Sequence, residues 1–178
     1  MKKTIPALLA GLLMTVSLLT VPVSASAAPY CGITWGSLSK GMADYQTEPL
    51  TNIRTGRHAC YDRMVFDLRS GTTGYFVEYV NNVYADGSGQ LVPVAGGAKL
   101  QIIVHAPNYD INGNQTYPGV TGQPLPGVNL SGYETFRDAK YAGSFEGQTT
   151  VGLGVRARLP FRVSTLDGRL VVDVAHRW

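Results

Sequence analysis

Two short runs, far apart in the chain, repeat one pattern and confine what the chain can fold into. Residues 62–68 read DRMVFDL and residues 168–174 read GRLVVDV. Each holds an arginine, then mostly apolar residues, then an aspartate four positions after the arginine. Side chains along a β-strand point alternately to its two faces. As strands, the runs put Met64, Phe66 and Leu68, and again Leu170, Val172 and Val174, on one dry face. Arg63, Val65 and Asp67, with Arg169, Val171 and Asp173, take the opposite face. Two strands of this kind are the frame of a layered β structure. If they are neighbours, an arginine of one meets an aspartate of the other, a cross-strand pair contributing roughly 0.2–1 kcal/mol.

The rest of the chain is punctuated in the same style. Residues 75–80 (YFVEYV) alternate, and in residues 99–106 (KLQIIVHA) Leu100, Ile102 and Val104 share a face. The first of these is expected to form a hairpin with residues 65–69 across the turn at 70–74. A second hairpin joins 83–85 to 91–94 through Asp86-Gly87-Ser88-Gly89. Residues 145–158 read as a strand interrupted by Gly152 and Gly154. Glycine inside a strand often marks a bulge or a place where another backbone comes close. Asp167-Gly168, a strong hairpin signal, turns 161–166 into 169–175. Residues 133–141 (YETFRDAKY) fit a strand or one helical turn. No long helical periodicity is present. The fold class is therefore all-β: a β-sandwich of about eight to ten short, mostly antiparallel strands.

Residues 1–27 read as a secretory signal peptide. Lys2 and Lys3 precede an apolar run at 5–23, and Ala25-Ser26-Ala27 supplies the cleavage site. Pro6 and Pro22 break that run, whereas a membrane span needs about 20 apolar residues. Removing the leader leaves 13 basic against 12 acidic side chains. With no basic block, nothing points to a nucleic acid. In an exported chain, the two cysteines, Cys31 and Cys60, read as one disulfide. It would tie an N-terminal arm (28–54) to the first frame strand and stabilise by roughly 3–4 kcal/mol in the chain-entropy model. No C-x-x-C pair suggests a redox or zinc site.

The histidines are His58, His105 and His176. With Asp62, Asp110 and Asp173 they could supply a dyad or a metal site. However, no two sit at ligand spacing, and neither H-E-x-x-H nor G-x-S-x-G is present. No catalytic residue, metal or cofactor is assigned. Asp110, Asn112 and Asn114 place oxygens like the start of a calcium loop, but no glutamate falls at the twelfth position, so they read as a turn. Residues 107–132 are irregular and hold four prolines. So long a stretch is uncommon in a compact domain and is often functional. In or beside it lie Tyr109, Tyr117 and Tyr133, with Asn108, Asn112, Asn114 and Gln115. Either these rings offer a platform to a sugar, or they pack the loop onto the sandwich.

A resemblance sharpens this. HACYDRMVFDL at 58–68, GYFVEYV at 74–80, FEG at 145–147, PFRV at 160–163 and RLVVDVAH at 169–176 resemble, in order, the signature of the AMIN-like domain of secreted actinobacterial proteins. The likeness runs over residues 55–178, which are taken as the domain. Cys60 departs from the pattern, so the disulfide belongs to a subgroup at most. The resemblance implies a sandwich related to the AMIN domain that accompanies cell-wall amidases and secretins. There the domain targets and binds peptidoglycan without catalysis. The expected function is a secreted, non-catalytic cell-envelope module, with no membrane span once the leader is cut. Its expected partner is a wall glycan or an envelope protein. Arg63, Asp67, Tyr109, Tyr117, Tyr133 and Arg169 are the candidate contacts. The alternatives are a protein-interaction module using an exposed strand edge and an envelope hydrolase built on His58 or His105.

Overall fold

The computed structural model describes residues 28–44 and 48–178; the expected signal peptide at 1–27 lies outside them. Among the described residues eleven strands follow one another: β1 (Lys40–Met42), β2 (Leu50–Arg57), β3 (Tyr61–Leu68), β4 (Tyr75–Val80), β5 (Val83–Tyr84), β6 (Leu91–Val92), β7 (Ala98–Val104), β8 (Phe136–Phe145), β9 (Gln148–Val155), β10 (Phe161–Leu166) and β11 (Arg169–Ala175). They form a five-stranded sheet in the order β1-β4-β7-β9-β8, a four-stranded sheet in the order β10-β11-β3-β2, and the small pair β5-β6. Every pairing is antiparallel. The chain is all-β and sandwich-like, as its alternation implies.

The repeated runs become β3 and β11, side by side in the four-stranded sheet. Their dry faces, with Met64, Phe66, Leu68, Leu170, Val172 and Val174, look into the core. Opposite them lie Val77 of β4, Leu100, Ile102 and Val104 of β7, and Val151, Leu153 and Val155 of β9. Burial of these side chains is the main stabilising term, at about 25 cal/mol per Å² of apolar surface.

Two local expectations change, and one strand crosses the expected start of the domain. Strand β3 is flanked by β2 and β11, so it has no edge left for β4. The connection at 69–74 therefore crosses from one layer to the other instead of closing a hairpin. Residues 136–145 resolve as strand β8, with bulges at Phe136/Asp138 and Tyr141/Gly143. Phe145 belongs to that strand. Glu146 and Gly147 turn it into β9 with φ of 48° and 80°, the positive values a two-residue hairpin needs. Strand β2 starts at Leu50 and so straddles position 55.

The glycines of β9 mark a close approach of another segment. A Cβ on Gly154 would sit 1.7 Å from the Ala95 carbonyl oxygen, and one on Gly152 would sit 2.8 Å from Val94. Their bare backbone lets the segment around β5 and β6 lie on the outer face of the five-stranded sheet. There Val83, Ala85, Val92, Val94 and Ala142 make a second, smaller core. Gly154→Ala is expected to cost about 2 kcal/mol in urea unfolding, in the range of overpacked sites. A cost under about 0.5 kcal/mol, the level of an ordinary surface change, would mean that residues 94–96 shift freely.

The irregular stretch is a strap. It bonds to the start of β2 (Leu50 N–H to Pro107 O, 2.8 Å; Thr116 Oγ1 to Leu50 O, 2.6 Å). It also bonds to the outer edge of β8 (Gly122 N–H to Tyr141 O, 2.8 Å; Tyr141 N–H to Gln123 O, 3.0 Å). One side of the sandwich is thereby closed. On the other side the arm does the same work: Phe161 N–H donates to Gly36 O at 2.9 Å, and β1 pairs with β4. The Cys31–Cys60 disulfide holds that arm.

Candidate functional site

Strand register builds a ladder on the outer face of the four-stranded sheet. One row runs Arg162, Asp173, Arg63, Gly56 across β10, β11, β3 and β2. The next runs Ser164, Val171, Val65, Arg54, and the third Leu166, Arg169, Asp67, Asn52. Four arginines and two aspartates thus share one face, a surplus of two positive charges. Val65 and Val171, between the charged rows, are only 4 % and 5 % exposed. Long arginine stems can cover such residues while their heads stay in water.

The ladder has two halves. In the first row Asp173 accepts from Arg63 through both oxygens (2.7 and 2.9 Å) and from Arg162 at 2.8 Å. Charge-assisted, two-pronged bonds of this kind are the strong ones. The bond to Asp173 is the leading reason that the Arg63 guanidinium is held above its ordinary pKa. Trp35 of the arm lies over Arg162 at 4.4 Å, and Tyr61 contacts Trp35 edge-on with His58 stacked on it at 4.5 Å. This half is roofed: the Asp173 side chain is 2 % exposed.

The other half is open. Asp67 accepts from Arg54 through both oxygens (2.8 and 3.0 Å) and from Asn52 at 3.3 Å, and it is 21 % exposed. Arg169 approaches Asp67 only at 3.7 Å and is 54 % exposed. Its donors therefore face solvent beside a carboxylate and an amide.

The candidate contacts separate accordingly. Arg63, Asp67 and Arg169 fall on this one face. Tyr109 and Tyr117 lie on the strap and Tyr133 just beyond it. Tyr117 is 2 % exposed, and its hydroxyl donates to Pro126 O at 3.3 Å. Tyr133 stacks on Phe136 and bonds Thr55 Oγ1 at 2.9 Å. Tyr117 therefore cannot offer a ring to a ligand; it packs the strap onto the core, because a loop this long needs apolar anchors of its own. Tyr109 is exposed beside the small bridge Tyr109–Gln115. Arg54, Arg162, Tyr61 and Trp35 are the residues that strand spacing alone did not place.

The three histidines occupy three different places. His58 stacks on Tyr61, and His105 Nδ1 lies 3.2 Å from Asp44 O. His176 does meet Asp62, at 3.2 Å, but both are buried. The second Asp62 oxygen is taken by Thr135 N–H (2.6 Å) and Phe136 N–H (3.1 Å). That carboxylate fastens β3 to the entrance of β8 and to the end of β11. Among the described residues no group of three His, Cys, Asp or Glu is placed to hold a metal ion, and no helix is long and apolar enough to cross a membrane.

An all-β sandwich with a polar, cation-rich outer ladder is the class of protein that these features define. The chain belongs to the AMIN-like domain family, whose model matches residues 48–176. Membership suggests a module of the cell envelope. No curated protein and no solved structure matches the chain.

Proposed function

We propose that the protein is a secreted, non-catalytic module that binds peptidoglycan or another wall polymer through the open half of the ladder. One observation carries this reading: Arg54, Asp67, Asn52 and Arg169 gather on a sheet face, with guanidinium donors left to solvent. Such a face can bond a run of hydroxyl and acidic groups along an extended chain. It holds no nucleophile next to a base, so attachment suits it better than bond cleavage. The mature protein is expected to sediment with purified sacculi. Asp67→Asn with Arg169→Ala should reduce the bound fraction roughly tenfold, the scale of one lost charged hydrogen bond. Sedimentation no greater than that of an unrelated exported protein would overturn the reading.

One observation favours a protein partner as the second reading. Beyond Phe161, the backbone of β10 pairs only with β11 among the described residues. The strap bonds β2 at Leu50 and β8 at Ala139 and Tyr141, and strand addition on β10 would meet no such bonds. Cross-linking from Thr165 that recovers a single envelope protein, without sacculus binding, would select it.

A further inference from the structure

The ladder has a gap. Three rows hold twelve positions, and the one beside Arg63 is Gly56. A Cβ built there would meet only one atom, His58 Nε2, at 3.9 Å. The backbone of Gly56 is therefore the bare floor of a notch. Arg63 stands across from it on β3, and Arg54 stands two residues along on the same face of β2. His58 closes the third side.

The charges around the notch are only partly compensated from within. Arg54 leans to Asp67 and Arg63 leans to Asp173, each away from the glycine. Each uses Nε and Nη2 for its aspartate, and neither uses Nη1 in a hydrogen bond among the described residues. The bond to Asp67 leads in holding Arg54 above its ordinary pKa, while the charge of Arg63 acts in the opposite direction. Arg54 thus feels the repulsion of Arg63 on the neighbouring row. An anion seated between them removes that repulsion and gains charge-assisted bonds.

We propose that the Gly56 notch, walled by Arg54, Arg63 and His58, is an anion subsite that takes an oxyanion of the wall polymer, a phosphodiester or a carboxylate. The assignment rests on the wall-binding reading above, extends it from the open half to the β2 end of the first row, and narrows it there from hydroxyl and acidic groups to the acidic ones. Glycine is required there because any side chain would occupy the ligand's place. Nothing else in the backbone requires it: Gly56 lies inside β2 and is not among the residues with positive φ.

That separation makes the test clean. Gly56→Thr fills the notch, leaves every charge in place and suits a strand, so its Tm should not fall. Amide chemical shifts are followed while inorganic phosphate is added, with chloride at equal ionic strength as the control. Saturable shifts confined to residues 54–58 and 63 are expected in the parent protein. They should vanish in Gly56→Thr and weaken several-fold in Arg54→Gln. Shifts of equal size in Gly56→Thr, or none at these residues in the parent, would overturn the subsite.

Sacculi then identify the source. If acid stripping of phosphodiester-linked polymers removes the advantage of the parent over Gly56→Thr, the oxyanion is a phosphodiester. If the advantage survives, it is a peptidoglycan carboxylate. Equal sedimentation of the two proteins on both preparations sinks the notch and leaves the wall-binding reading standing. If neither protein sediments, that reading fails, and the phosphate titration still decides the notch.

Discussion

Asp62→Ala is expected to destabilise the protein by about 4 kcal/mol, the loss typical of a buried charge partner removed from its site. Asp62 is fully buried on the inward face of β3, two positions before Met64. Its two oxygens meet three groups from distant parts of the chain: one accepts from Thr135 N–H and Phe136 N–H, and the other lies 3.2 Å from His176 Nε2. Alanine leaves all three buried without a partner. Each orphaned buried group costs about 1–3 kcal/mol. The surroundings offer little substitution. Thr135 Oγ1 already donates to Ala175 O, and Arg156 donates to the His176 carbonyl. His176 Nδ1 lies 3.3 Å from Glu134 Oε2 but outside hydrogen-bond geometry. Asp62→Asn is the informative companion. Its amide oxygen can still accept from Thr135 and Phe136, and its NH₂ can donate to His176 Nε2 if that nitrogen is unprotonated. The cost should then fall to about 1–2 kcal/mol, as for a weakened but satisfied site. Urea unfolding of both variants reads the difference. A loss under 1 kcal/mol for alanine would remove this residue from its role as the clamp of the sandwich's end.

Asp62 also shows how far the sequence could be read. Alternation in DRMVFDL places it on the dry face with Met64, Phe66 and Leu68. A carboxylate on such a face has to be paired, so its burial was legible in principle. Its partners were not, because they lie 73 and 114 positions away. The same division runs through the rest. The Arg63–Asp173 and Asp67–Arg169 pairs follow from spacing once β3 and β11 are adjacent, and the structure makes them adjacent. Glycines 152 and 154 announced a close backbone, though not that it would be residue 95. By contrast, β4 alternates as well as any strand, yet pattern alone cannot say which layer it joins. Composition left the tyrosines open between a ligand platform and packing, because it does not separate a ring that stacks on a ligand from one that stacks on Phe136; Tyr117 and Tyr133 pack, and Tyr109 is exposed. Arg162 and Trp35 were missed for another reason. They reach the ladder only through the register of β10 and through a disulfide that brings in the arm.

That disulfide supports the second large effect. Replacing both Cys31 and Cys60 with serine should lower stability by about 3–4 kcal/mol, since the cysteines are 29 positions apart and the link restricts the unfolded chain. A purely global loss would leave the local structure of the native state unchanged, and the fold argues for more than that. Arm residues 30–36 have few other ties: Tyr30 Oη to Ala59 O at 3.4 Å, the Arg177–Tyr30 contact, the Gly36 carbonyl bond to Phe161, Trp35 over Arg162, and the edge of Trp35 against Tyr61. Without the link the arm competes with solvent for those contacts, and the ladder's roofed half loses part of its cover. Trp35 fluorescence should shift to the red in the native state of the double-serine variant, well below its unfolding midpoint. Hydrogen exchange should rise at residues 30–36 and stay protected in β3 and β11. Arg162→Ala in the intact protein should reproduce part of the fluorescence change, because it removes the cation beneath the indole while leaving the disulfide in place. If the double variant loses stability but keeps its native fluorescence and arm protection, the link acts on the unfolded chain alone, and the roof over Asp173 stands on Trp35, Arg162 and Tyr61 without it.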